Sequence, residues 1–84
     1  MNREEVFNEM LAIIKEYVRD PELLKHVTNH TNIINDLRVN SARLVDIIIK
    51  SEDVFHIEIN DDDADRIKTL GDAVDVVLSL KKAA

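Results

Sequence analysis

The chain has 84 residues, 45% of them apolar, and a formal net charge of −6, so it builds one small core and lacks the basic face that nucleic acid or an anionic membrane surface needs. It contains no cysteine, which excludes disulfides, thiol catalysis and thiolate metal sites. Apolar runs such as Ile47–Ile49 fall far short of a membrane span, and Met1–Glu5 lacks the apolar stretch of a signal peptide. The expectation is a single domain over 1–84, monomeric, in a reducing cytoplasmic setting.

In chain order, the first helix is predicted from about Asn2 to Arg19. Val6/Phe7, Met10/Leu11, Ile13/Ile14 and Tyr17/Val18 recur at helical spacing and form one wide stripe. Asp20-Pro21 ends it, because helical geometry is disfavoured before proline. Residues 20–40 read as a long connection rich in turn formers, with a short helical turn near 21–27 and apolar anchors at Leu23, Leu24, Val27, Ile33, Ile34 and Leu37.

The second helix is predicted to start at Asn40-Ser41, where the asparagine side chain can cap an orphan amide. Leu44, Ile47, Ile48 and Ser51 form its core face. Ala42, Val45, Asp46 and Ile49 form a second face, so this helix is either buried on two sides or offers one stripe to a partner. Val54–Ile59 alternates apolar and polar residues but has no strand to pair with, and is read as an extended loop. Asp61–Ile67 is read as a short acidic helix. Thr69-Leu70-Gly71-Asp72 places an acid three residues after a hydroxyl, an Asp variant of the capping box, and opens the last helix. Lys81 and Lys82 suit its C-terminal end.

The fold expected is therefore all-α: a small four-helix bundle with three main helices, one short helix and a long loop between helices 1 and 2. Charge is uneven along it. Between Ser51 and Asp65 stand seven acids and no lysine or arginine. That stretch is a solvated face or a landing site for basic proteins, which would speed encounter and favour brief contacts.

Most sites that can be drawn on the sequence fail on chemistry. His26 and His30 have the i, i+4 spacing of helical metal ligands, but Thr28 and Asn29 disfavour a helix there and no third ligand stands nearby. Asp61, Asp63 and Asp65 mimic the opening of a calcium loop. Its sixth position holds Arg66 instead of glycine, and its twelfth Asp72 instead of glutamate. No metal site is expected. Asn29-His30-Thr31 is a glycosylation sequon without a secretory context. No nucleophile, base and orienting group can be assembled, so an enzyme is not expected.

Ser41 alone would be an ordinary residue beside a helix cap, but its surroundings form a linked pattern. Asp36-Leu37, three residues, Ser41 and then Asp46 five residues on resembles the modification motif of acyl carrier proteins. Glu52-Asp53-Val54-Phe55-His56-Ile57-Glu58-Ile59 resembles the acidic end of that family's second helix and its Phe-x-Ile-Glu-Ile loop. Asp61–Ile67 resembles its short third helix, and Thr69-Leu70-Gly71-Asp72-Ala73-Val74-Asp75 the start of its last one. The match spans about residues 31–80 in the right order and spacing; the first helix matches only in being amphipathic.

The resemblance implies a carrier whose Ser41 bears a 4′-phosphopantetheine arm, installed from coenzyme A by a phosphopantetheinyl transferase. The arm's thiol would hold acyl groups as thioesters, for delivery between enzymes of fatty-acid, lipid or related synthesis. The resemblance also implies that acyl-handling enzymes with basic docking surfaces read Asp36, Val45, Asp46, Ile49, Glu52 and Asp53. An acyl chain would fold back near Ile47, Ile48, Ile59, Ile67 and Val74, which are equally plain core positions. Asn40-Ser41-Ala42 replaces the family's usual Asp-Ser-Leu, Arg38 stands where glycine is common, and Arg43 adds a positive charge. These departures imply a specialised member. The alternatives are a carrier-like interaction domain that is never modified and a carrier of aminoacyl or peptidyl groups; the latter family prefers Gly-Gly before the motif and a less acidic second helix.

Overall fold

The computed structural model describes residues 1–83. Four α-helices, α1 (Arg3–Ile14), α2 (Ser41–Phe55), α3 (Asp61–Asp65) and α4 (Leu70–Ala83), form the all-α bundle that the sequence pattern implies. Two 3-10 turns, Lys15–Tyr17 and Pro21–Leu24, lie in the long connection between α1 and α2. Among the described residues the extended backbone pairs at one place, an antiparallel bridge between Asn32 and Thr69.

α1 starts at a complete capping box: the Asn2 side chain accepts from the Glu5 amide at 2.8 Å, and the Glu5 carboxylate accepts from the Asn2 amide. Val6, Met10, Ile13 and Ile14 bury its inner face, which packs mainly on α4. The helix is shorter than its periodicity predicts. It tightens into a 3-10 turn after Ile14 and ends at Tyr17, not Arg19. Val18 is already extended, and so is Asp20, as the proline after it demands. The Asp20 carboxylate then caps the next turn by accepting from the Glu22 amide at 3.0 Å.

α2 differs in the other direction. Val54 and Phe55, expected in an extended loop, complete its last turn. Phe55 is almost fully buried, and helical geometry is what carries its ring into the core. His56 closes the helix in the left-handed region (φ 55°, ψ 50°), and the Ile57 amide donates back to the Glu52 carbonyl at 3.1 Å. α3 ends at Asp65 instead of Ile67, which leaves Ile67 free to turn inward as a buried anchor. The α4 cap is as predicted. Thr69 Oγ1 accepts from the Asp72 amide at 3.1 Å, and the Asp72 carboxylate accepts from the Thr69 amide at 2.9 Å.

The core is shared by α1, α4 (Leu70, Val74, Val77), α2 (Ile47, Phe55) and the connection (Ile33, Leu37, Val39). Ser51, the one buried polar side chain among the described residues, donates to the Ile47 carbonyl at 2.7 Å, which removes the penalty of an unpaired hydroxyl. Backbone hydrogen bonds stitch the connection to the head of α4. The Ile33 amide donates to the Lys68 carbonyl, the Leu70 amide to Thr31, and the Val39 amide to Ile33. The residues that lead into α2 are thereby fixed before the helix begins.

Candidate functional site: the head and outer face of α2

Ser41 is the first residue of α2 and is exposed to solvent. Its position is set from both sides. Leu37 and Val39 are buried anchors four and two residues before it. Asn40, in extended geometry, caps the helix by accepting from the Arg43 amide at 2.9 Å. That cap uses one of the four orphan amides of the first turn, and the Asn40 carbonyl takes the Leu44 amide. Among the described residues, the Ser41 and Ala42 amides have no acceptor in the protein. An anion esterified at Ser41 would therefore meet free N–H groups and the positive end of the helix dipole.

The outer face of α2 carries the second apolar stripe that the sequence spacing marked. Ile47 and Ser51 point into the core, and Leu44 and Ile48 are half-buried. Val45 (54% exposed) and Ile49 (58% exposed) stand in solvent, so this helix is buried on one side only. Asp46 and Asp53 are exposed on the same element. A shallow cleft runs between Tyr17 and this face, lined by Asp46, Ile49, Lys50 and Asp53. Arg43 reaches Asp46 at 3.6 Å, an exposed pair worth little in water.

Two of the acids assigned to recognition have structural partners. Asp36 accepts from the Asn32 amide at 2.8 Å and holds the turn ahead of Leu37. Glu52 accepts from the Ile59 amide at 2.8 Å and holds the loop after α2. The structure thus brings Val45, Asp46, Ile49 and Asp53 together on one surface, with Asp36 and Glu52 engaged in the flanking loops. Of the positions named for a folded-back acyl chain, Ile47, Ile67 and Val74 are buried in the core, and Ile48 and Ile59 are half-buried.

A second groove, of about 710 Å3, lies on the other side of the head of α2, between Glu16–Asp20 and the run Leu37–Asn40. Arg19, Arg38 and Arg43 line it, and the sequence marked Arg38 among them as an arginine where glycine is common, and Arg43 as an added positive charge. Arg38 itself adopts φ 58°, the left-handed region that a glycine would occupy freely.

The rejected sites stay apart. His26 and His30 are exposed and lie beyond the Pro21–Leu24 turn, so no helix aligns them. Asp61, Asp63 and Asp65 lie within the single short helix α3, not in a loop, and Asn60 caps it by accepting from the Asp63 amide.

No protein-family model matches the chain. Similar proteins are nonetheless found over nearly its whole length. An acyl carrier protein of Lactobacillus acidophilus is 44% identical over 79 residues, covering 94% of this chain and 96% of that protein. One of Coprothermobacter proteolyticus is 37% identical, covering 94% of each. A solved structure described as showing novel structural components that contribute to the high thermal stability of acyl carrier protein from Enterococcus faecalis superposes with a TM-score of 0.75. It is 36% identical, and the match covers 95% of this chain and 99% of that one. With that identity sustained along the chain, and the same fold beneath it, the chain belongs to the acyl carrier protein family.

Proposed function

We propose that this protein holds acyl intermediates on a 4′-phosphopantetheine arm attached to Ser41 and carries them between partner enzymes, without catalysis of its own. The observation that carries this reading is Ser41 itself: an exposed hydroxyl on the first residue of α2, beside two amides without an acceptor. The residues present fit the group. Ser41 Oγ would take the phosphodiester bond, the Ser41 and Ala42 amides would face its charge, and Asn40 keeps the helix head rigid by capping Arg43. The arm, taken from coenzyme A by the action of a phosphopantetheinyl transferase, supplies the terminal thiol that a chain without cysteine lacks.

Val45 and Ile49 give a partner an apolar contact, and Asp46 and Asp53 attract a basic docking surface, with Asp36 and Glu52 at the margins. A few exposed contacts of this kind give weak binding and fast release, which suits a carrier that must leave each enzyme in turn. We read the chain as one monomeric, cytoplasmic carrier domain serving fatty-acid, lipid or related synthesis.

Intact mass tests the assignment directly. Protein isolated from its own cells, and apo protein treated with coenzyme A and a broad-specificity transferase, are weighed beside Ser41→Ala. One arm's added mass in either sample, absent in the variant, supports the reading. No added mass in either sample overturns it and leaves a carrier-like interaction domain.

A further inference from the structure

The groove beside Ser41 has a composition unlike the rest of the molecule. The chain carries a net charge of −6, yet three arginines line this groove against two carboxylates, Glu16 and Asp20. One carboxylate is already engaged, since Asp20 accepts from the Glu22 amide. Among the described residues, Arg19 and Arg38 form no ion pair, and Arg43 has only its 3.6 Å approach to Asp46. Arg38 also holds a left-handed backbone, which is strained for a non-glycine residue. The fold therefore places an unpaired cation, in a strained position, three residues before the serine.

The walls are mixed in a way that selects an occupant. Val18 and Leu23, both half-buried, offer apolar surface, opposite a run anchored by the buried Leu37 and Val39. Tyr17, Asn40 and the two carboxylates add polar groups able to bond amides. The volume, about 710 Å3, lies within the range of small-molecule sites, roughly 300–1,000 Å3. A bare hydrocarbon chain would leave the arginines and carboxylates desolvated without partners. A ligand with one anionic end, amide groups and a branched apolar segment matches all of them.

We propose that this groove, between the end of α1 and the approach to α2, is a resting seat for the pantetheine arm itself, with Arg38 and Arg43 facing its phosphodiester. The inference rests on the reading of Ser41 as the attachment point. Tethering makes a shallow seat sufficient, because a ligand bound through the neighbouring residue has an effective concentration in about the millimolar range. The arm then lies along Tyr17, Val18 and Leu23, away from the loop after α2. The seat is polar enough to release the arm when a partner competes for it.

Amide NMR spectra of apo and mass-verified holo protein test this, together with the rate at which a disulfide reagent modifies the arm's thiol. The expected result is that the amides of Tyr17, Val18 and Leu23, distant in sequence from Ser41, shift on modification. In holo Arg38→Gln, which removes the cation, those shifts shrink and the thiol reacts about two- to fivefold faster. A verified mass gain with Tyr17, Val18 and Leu23 unmoved, or with shifts at Ile59, Ile67 and Val74 instead, overturns the seat while leaving the Ser41 reading intact. Undiminished shifts and an unchanged thiol rate in Arg38→Gln overturn the role of that arginine. Absence of any mass gain overturns the Ser41 reading and removes the basis of this one.

Discussion

Glu52 and Ile59 are joined by a hydrogen bond across the turn that leaves α2: the Ile59 amide donates to the Glu52 carboxylate at 2.8 Å. The left-handed turn at His56 makes this possible by folding residues 57–59 back along the last turn of the helix. Glu52→Ala is therefore expected to lower stability by about 1 kcal/mol, because it removes a partly shielded charge-assisted bond. Asp53→Ala, at an exposed neighbouring position with no side-chain bond among the described residues, should stay within about 0.5 kcal/mol of the parent. Urea unfolding of the two variants separates them. Equal midpoints would show that the Glu52 bond contributes nothing.

Gly71 has a steric reason. A Cβ built on it would lie 2.8 Å from the Asn29 carbonyl oxygen and 3.2 Å from Asn29 Cβ, and the Gly71 amide donates to that same oxygen at 2.9 Å. Relieving the clash would require moving backbone that the bridge at Asn32 holds in place. Alanine gains about 1 kcal/mol of helix propensity. The overpacking, at about 1–3 kcal/mol, opposes and exceeds it. Gly71→Ala should lower the thermal midpoint, and a rise would show that the connection yields easily.

Asp72 links stability to acid. Burial alone would raise its pKa, but the Thr69 and Lys68 amides, the Thr69 side chain and the Lys68 charge outweigh it and hold the carboxyl below its ordinary value. A carboxyl lowered on folding adds stability that is fully present above its unfolded pKa, about 3.9, and is lost as pH falls through the lower native value. Asp72→Asn keeps the shape and should cost about 1 kcal/mol at pH 7. The difference from the parent should narrow below about pH 4. Denaturation at pH 7 and pH 3 reads both numbers, and a pH-independent difference would exclude this linkage.

The outer face of α2 is expected to matter for transfer and not for folding. Val45, Asp46, Ile49 and Asp53 make few intramolecular contacts, so Asp46→Lys with Asp53→Lys should leave the unfolding midpoint nearly unchanged. Reversing two charges should slow association with a basic partner about tenfold or more at low salt, with the gap closing as ionic strength rises. Transfer rates of the holo form that are insensitive to both changes would place docking elsewhere.

Much of this was legible in the residues. The Thr69/Asp72 box, the Asn40 cap and the buried positions of α1 and α4 are local patterns, and local geometry decides them. The places that were not legible depend on contacts distant in sequence. Val54-Phe55 reads as alternating, and burial of the Phe55 ring is what keeps it helical. Sequence spacing could mark Glu52 as an acid near a helix end, but not that the His56 turn would bring the Ile59 amide to it. The stripe of Val45 and Ile49 was visible as a second apolar face, yet only the packed bundle shows that none of the described residues covers it. The arginine groove is assembled from three separate stretches, and its sequence signals were an arginine where glycine is common and the added charge of Arg43.

The backbone bonds from Val39 to Ile33 and from Ile33 to Lys68 also have a mechanical meaning. On the proposed reading of Ser41, a partner drawing cargo from the arm would pull on the Ser41 hydroxyl. That tension would pass through Asn40 and Val39 into Ile33, and from there to Lys68, just ahead of α4. Ser41 is thus moored, through the connection, to the segment that opens the last helix.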